Sequence, residues 1–280
     1  MSVDHKLETE IVETDVPISD AALTEAKDKF LASHVDKPIK NIVLLVAMEA
    51  EALPMVKSLN LTQDTPAAIP PPAPCVTYSG QDWGANIHLV CFGKCRQTGM
   101  DNIGTVPAAL TTYLALQTFK PDVVISTGTA GGFSSRGASI ADVFISTATV
   151  NHDRRIPIPG FDVYGVGKFD ALPVPNLVKE LELKTGVVSS GNSLDFTTED
   201  MVRMVEHTAS IKEMEAAAVA WAASLFHCPF FCIKSVTDIV DGDRPAAEEF
   251  LENLHKAADA LQETVPKVLE FIAGKTYSEL

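Results

Sequence analysis

Positive charge is scarce in this chain. Its 280 residues carry 22 Lys and Arg against 37 Asp and Glu, a formal charge of −15, and no arginine precedes Arg96. Such an acidic balance repels phosphate backbones and anionic lipid, so nucleic acid and membrane surfaces are poor partners and a small, weakly charged or cationic ligand is expected. Long apolar runs are missing too. None approaches the roughly 20 residues that cross a bilayer, the longest being broken by His227 and Pro229. The N-terminus lacks an apolar signal core, and its acids are the wrong chemistry for an organelle transit peptide, so a cytoplasmic protein is expected. Cysteine is sparse and odd in number, at 5. Cys91/Cys95 and Cys228/Cys232 sit in apolar strand-like runs, where a reduced buried thiol is the default. Their spacing is looser than that of common zinc pairs and nothing completes a ligand set, so neither a metal nor a cofactor is expected. Also absent are GxGxxG and GxxxxGK[ST], which argues against dinucleotide or triphosphate binding.

Apolar residues make up 46% of the chain, enough to bury a large core, and no long polar linker divides it. Residues 1–38 read as an acidic extension, partly disordered, with one docking helix in "ISDAALTEAKDKFLASHV"; the core domain is expected over 39–280. "NIVLLVAM" predicts a strand buried on both faces. "TPAAIPPPAP" predicts a stiff connection, and "CVTYSGQDWGANIHLVCFG" a hairpin whose turn is punctuated by Gly80 and Gly84. Further strands are expected in "PDVVISTGTAGG", "DVFISTATVNHD", "TGVVSSGNS" and "FFCIKSVTD". Helices are expected in "GMDNIGTVPAALTTYLALQTF", in the alanine-rich run after Glu215, and over 246–272 with Phe250, Leu251, Leu254, Ala257, Leu261 and Val265 on one side. Strands alternating with helices predict a single α/β domain built on a twisted mixed, largely parallel sheet flanked by helices.

In such a sheet ligands sit beyond the carboxyl ends of the strands. Four segments occupy those ends: "AMEAE", "STGTAGG", "GNSLDF" and "SVTD". A fifth, "IKEMEAAAVAW", sets two acids around Met214 where an apolar run begins. Acids in a first helical turn are stabilised by about 0.3–1 kcal/mol, which accounts for Glu213. Glu215 heads a helix that is apolar all round and should be enclosed, so its carboxylate needs a partner.

Together and in this order, these segments resemble the nucleoside phosphorylase and nucleosidase superfamily, most closely the plant-type methylthioadenosine nucleosidases, from about Asn41 to the last helix. The resemblance implies a nucleoside phosphorylase-like fold and hydrolysis of a purine–ribose bond through an oxocarbenium-like sugar, which needs an acid at the leaving base and a base for water on the opposite face. By similarity, Asp238 protonates the purine and Glu51 activates the water. Glu215 would accept hydrogen bonds from the ribose hydroxyls, and Met214 and Met48 would line the sugar and the thioether tail. Thr129 in the glycine turn would contact substrate. Lys234 stands where bacterial relatives carry arginine and keeps a point charge without the planar fork. Leu194 would pack on the base and the Asp195 backbone read its edge, with Phe196 near by. Glu49 reads as a solvated turn residue, His152 and Asp153 as orienting or structural.

Related phosphorylases place arginines in the first strand loop and before the glycine turn, where this chain has Glu51 and Ser126, so water is favoured over phosphate as the nucleophile. The alternatives are a phosphate-using purine nucleoside phosphorylase and a non-catalytic nucleoside-binding relative. The resemblance also implies a homodimer in which a partner loop, here "RIPIPGFDVYG", closes the tail pocket.

Overall fold

The computed structural model describes residues 37–280; all but the end of the expected 1–38 extension, with its helix, lies outside the described residues. Strand β1 (Asn41–Val46) is buried along nearly its whole length, as a run of Val, Ile and Leu bounded by polar residues predicts. Parallel neighbours flank it, β4 (Ala85–Cys91) and β5 (Val123–Gly132). Helix α1 (Glu49–Ser58) leaves its carboxyl end directly, followed by the short β2 (Thr62–Gln63) and by β3 (Val76–Asp82), which pairs antiparallel with β4. The hairpin turns at Trp83 and Gly84, with φ of 48° and 76°, the left-handed pair that matches the twist of the strands. Gly80 is not in that turn, contrary to expectation. It lies inside β3, where a Cβ would fall 2.8 Å from Leu61 Cδ2.

Beyond helix α2 (Thr105–Phe119) and β5 come β6 (Val143–Asn151), helix α3 (Phe161–Val166), β7 (Phe169–Asp170), helix α4 (Pro175–Glu180), β8 (Lys184–Ser190) and helix α5 (Thr198–Glu206). The chain then forms β9 (Ala209–Glu213), helix α6 (Ala216–Leu225), β10 (Phe230–Ile239) and helix α7 (Ala246–Ile272). All ten strands join one mixed sheet. Parallel ladders join β4–β1–β5–β10 and β6–β8–β9, and antiparallel pairs close them at β10–β6 and β5–β9. Strands β5, β10, β6, β8 and β9 therefore form a closed ring, from which β1, β4, β3 and β2 extend. Closure removes edges that would otherwise need covering.

Two expectations about helix faces need correction. Helix α6 buries all its alanines but Ala218, yet Trp221 is 42% and Leu225 52% exposed, so it is not enclosed. Leu251 is 73% exposed. The inward stripe of α7 instead repeats every four residues through Glu249, Asn253, Ala257, Leu261 and Val265. It opens with two polar residues because they grip backbone: Glu249 accepts from the Ile239 amide (2.9 Å) and Asn253 donates to the Thr237 carbonyl (3.1 Å). Among the described residues no helix is long and apolar enough to cross a membrane.

Candidate active site

The carboxyl ends of β1, β5 and β10 point the same way and open into a cavity of about 410 Å³. That is within the range of small-ligand sites. Met48, Glu51, Thr129, Leu194, Met214, Glu215, Lys234 and Asp238 all line it, so eight sequence-predicted residues from five separate segments converge. Asp195 and Phe196 are exposed and are not among the lining residues.

Glu51 enters from the first turn of α1, while Glu49 turns outward to an ion pair with Lys94 at 2.9 Å. Glu51 is 4% exposed, and one carboxyl oxygen, Oε1, accepts from both the Thr129 amide (2.7 Å) and the Thr129 hydroxyl (2.6 Å). Burial pushes its pKa up, against the pull of those donors and of Lys234.

Asp238 is placed by a bulge. The β5–β10 register runs evenly to Val236–Ala130 and resumes at Asp238–Gly131, so Thr237 is the extra residue, a device that re-aims a side chain. Gly131 is required beside it, since a Cβ there would lie 2.7 Å from Asp238 Oδ2. The Thr237 hydroxyl donates to Asp238 at 2.8 Å. Burial raises the Asp238 pKa, with Glu249 adding to the rise while Thr237 and Lys212 oppose it. A proton held above the usual carboxylate range is what a general acid needs.

Glu215 caps α6. Oε1 accepts from the Gly104 amide at 2.8 Å, and the rest of the carboxyl faces the cavity. Burial, reinforced by Glu213, pushes it up to about 7. Glu213, not expected in the site, lies at the end of β9 and lines the same cavity. It accepts from the Ala216 amide (2.9 Å) and the Ser190 hydroxyl, and pairs with Lys234 at 3.0 Å. Glu213 thus meets the helix-end amides from the end of β9 and not from the first helical turn expected, and Lys234 adds a second role. Burial opposes its charge, but Lys234 and Ser190 keep its pKa below the ordinary value, and both acids hold Lys234 firmly protonated.

Sequence reasoning also missed Lys212 and Phe250, which line the cavity. His152 and Asp153 have supporting contacts: His152 Nδ1 lies 3.0 Å from the Ser189 hydroxyl, and Asp153 accepts from the Asn192 amide at 2.6 Å. All five cysteines are free thiols, and among the described residues no group of His, Cys, Asp and Glu is arranged to hold a metal.

The lining combines carboxyl acceptors, an acid whose pKa is raised by burial and two apolar thioethers, a set that suits a neutral ligand with hydroxyls and a basic ring. Similarity points the same way. The phosphorylase superfamily matches residues 41–270. The chain is 47% identical to 5′-methylthioadenosine nucleosidase of Arabidopsis thaliana over 248 residues, 89% of this chain and 93% of the relative. It is 45% identical to 5′-methylthioadenosine/S-adenosylhomocysteine nucleosidase of the same plant, over 87% of this chain and 96% of that one. The solved apo structure of the Arabidopsis thaliana 5′-methylthioadenosine nucleosidase superposes with a TM-score of 0.86 at 47% identity, covering 87% of this chain and 100% of that one. By the family match over residues 41–270 and the 47% identity across most of its length, this chain belongs to the phosphorylase superfamily, in its methylthioadenosine nucleosidase branch.

Proposed function

We propose that the chain hydrolyses the N-glycosidic bond of 5′-methylthioadenosine, releasing adenine and 5-methylthioribose, a step of methionine salvage in the cytoplasm. The observation that carries the reading is the convergence of Glu51, Glu215 and Asp238 on one cavity that also holds Met48 and Met214. Asp238 gives its proton to the purine ring nitrogen, making adenine a neutral leaving group. Glu215 accepts from the ribose hydroxyls with the carboxyl surface that Gly104 leaves free. Glu51, its orientation locked by Thr129, takes a proton from the water that attacks the anomeric carbon. Lys234 balances the acids from behind. Leu194 lies against the base, with the Asp195 peptide at its edge, and Phe196 stands outside that contact.

Water is favoured over phosphate because the Thr129 N–H and O–H, donors an anion would need, are both turned onto Glu51. A second carboxylate beside them repels a phosphate. Adenine release in phosphate-free buffer is expected to equal that in phosphate. Asp238→Asn is expected to lower kcat by about 10²–10⁴-fold while leaving the affinity for a non-hydrolysable nucleoside analogue within a few-fold. Strict phosphate dependence, or full turnover by the variant, overturns the reading. Rates on S-adenosylhomocysteine measured alongside define the tail specificity.

A homodimer is part of this proposal. Val106, Leu110 and Tyr113 of α2 and Trp221 and Leu225 of α6 are exposed apolar residues on two helices that pack together, and exposed apolar surface of this kind marks a partner's contact. The 155–165 segment, with Ile158, Phe161 and Tyr164 exposed, would reach the tail end of the second copy's cavity. Light scattering should give twice the chain mass for the native protein and the monomer mass for Trp221→Asp; a monomeric native protein refutes the dimer.

A further inference from the structure

One buried cation of the cavity has no part in the chemistry above. Lys212, on β9, is 6% exposed and lines the cavity together with Leu194 and Asp238. A buried ammonium persists only if its protons find acceptors. Two of its three do, since Nζ donates to the Ser193 and Leu194 carbonyls, both at 2.8 Å. Those carbonyls belong to the loop whose Leu194 forms the cavity wall.

Sheet register places the same ammonium relative to Asp238. Lys212 pairs with Gly131 across the antiparallel β5–β9 ladder, and Gly131 pairs with Asp238 across the parallel β5–β10 ladder. The residue between the two has no side chain, so β5 puts no atoms beyond its backbone between the ammonium and the carboxyl.

We propose that Lys212 is a positioning residue of the reaction, tying the Ser193–Leu194 backbone against the base and setting its positive charge opposite Asp238. This rests on Asp238 being the acid. As the Asp238 O–H bond breaks and the purine N–H bond forms, the carboxylate left behind faces a fixed cation, and Lys212 keeps all its protons throughout. Asp238 is faced by Lys212 from β9 and Glu249 from α7, with Thr237 beside it. Around Lys212 stand Asp238 from β10, Asp195 from the 193–196 loop, Asp200 from α5, His152 just past β6, and Glu213 on its own strand. Burial lowers the Lys212 pKa and those carboxylates work against the fall, Asp238 foremost among them.

The test is the pH profile of kcat/KM for Lys212→Met and Lys212→Arg. Loss of the cation lets Asp238 keep its proton to higher pH, so in Lys212→Met the alkaline limb moves up by about one unit and kcat/KM near neutrality drops about 10- to 100-fold. Lys212→Arg restores the limb and most of the rate. A limb that stays put in Lys212→Met, or one that moves and is not restored by arginine, overturns the proposal. A purely structural lysine would change KM and melting temperature without moving the limb. Should Lys212→Met not fold, Lys212→Gln, neutral yet still a donor, gives the same reading. Asp238→Asn in the same series separates the two assignments: if it turns over normally the acid role itself fails, whereas a dead Asp238→Asn beside an unmoved Lys212→Met limb removes only Lys212.

Discussion

The strand end that carries Glu213 and the helix cap that carries Glu215 are separated by Met214 alone, yet the two carboxyls hold their protons in opposite ways. Glu213 is met by Lys234, Ser190 and the Ala216 amide, and its pKa falls below the ordinary value. Glu215 has the Gly104 amide and little else, and it rises to about 7. Burial acts on both. What differs is the number of donors supplied by the protein. A carboxylate whose lone pairs are filled from within is part of the framework; one left short is free to take donors from a ligand, the role proposed above for Glu215 with the ribose diol.

Three variants probe that contrast. Glu213→Ala should have the largest effect, because it strands Lys234 as an unpaired buried cation and exposes the helix-end amides of α6. A loss of about 3–5 kcal/mol in urea unfolding is expected, and a loss below 1 kcal/mol would erase the distinction. Glu215→Gln should act in the other direction. The folded protein keeps the Glu215 proton up to about pH 7, whereas an ordinary glutamate gives it up near 4.5. Stability from this group is therefore complete below the unfolded value and is lost as pH rises through the folded one. Glutamine removes that loss, so the variant should gain up to roughly 3 kcal/mol over wild type at pH 8 and little at pH 4, while KM for the nucleoside climbs. A variant less stable than wild type at pH 8 would show that Glu215, too, is framework. The smallest effect is expected from Ser190→Ala, which takes one donor from Glu213 and the acceptor of the Ala217 amide. It should cost about 1–2 kcal/mol and raise the Glu213 pKa toward that of its neighbour, seen as a shift in the carboxyl titration by NMR.

Local pattern revealed those parts of the fold whose residues are buried by their own element. Strand β1 shows as a run of Val, Ile and Leu, and the strand ends show as acids and glycines after such runs, which short-lists their segments; the choice of Glu51 over Glu49 and the roles of Glu215 and Asp238 come from the family resemblance. Strand β9 was not legible. In "ASIKE" Ser210 and Lys212 break any apolar run, and they are buried only because the ring of strands closes over them, a pairing between segments far apart in the chain. The partner of Glu213 was hidden for the same reason, since Lys234 sits on another strand. Leu251 misled because the inner stripe of α7 opens with Glu249 and Asn253. Their burial reflects backbone groups of β10, which no property of the helix sequence reports. Gly80 reads as a turn residue in the sequence because a glycine looks the same whether it permits a positive φ or makes room for Leu61.

The grip of α7 on β10 has a consequence for how the protein matures. Asn253 holds the carbonyl of Thr237, the extra residue of the bulge, and Glu249 holds the amide that follows Asp238. The backbone on either side of Asp238, the proposed proton donor, is therefore fastened by a segment made after it, and a nascent chain that has completed its sheet but not yet docked this helix would lack those contacts. Activity should switch on late in biosynthesis, with the arrival of a helix that contributes Phe250 to the cavity wall and leaves the proton transfer to others.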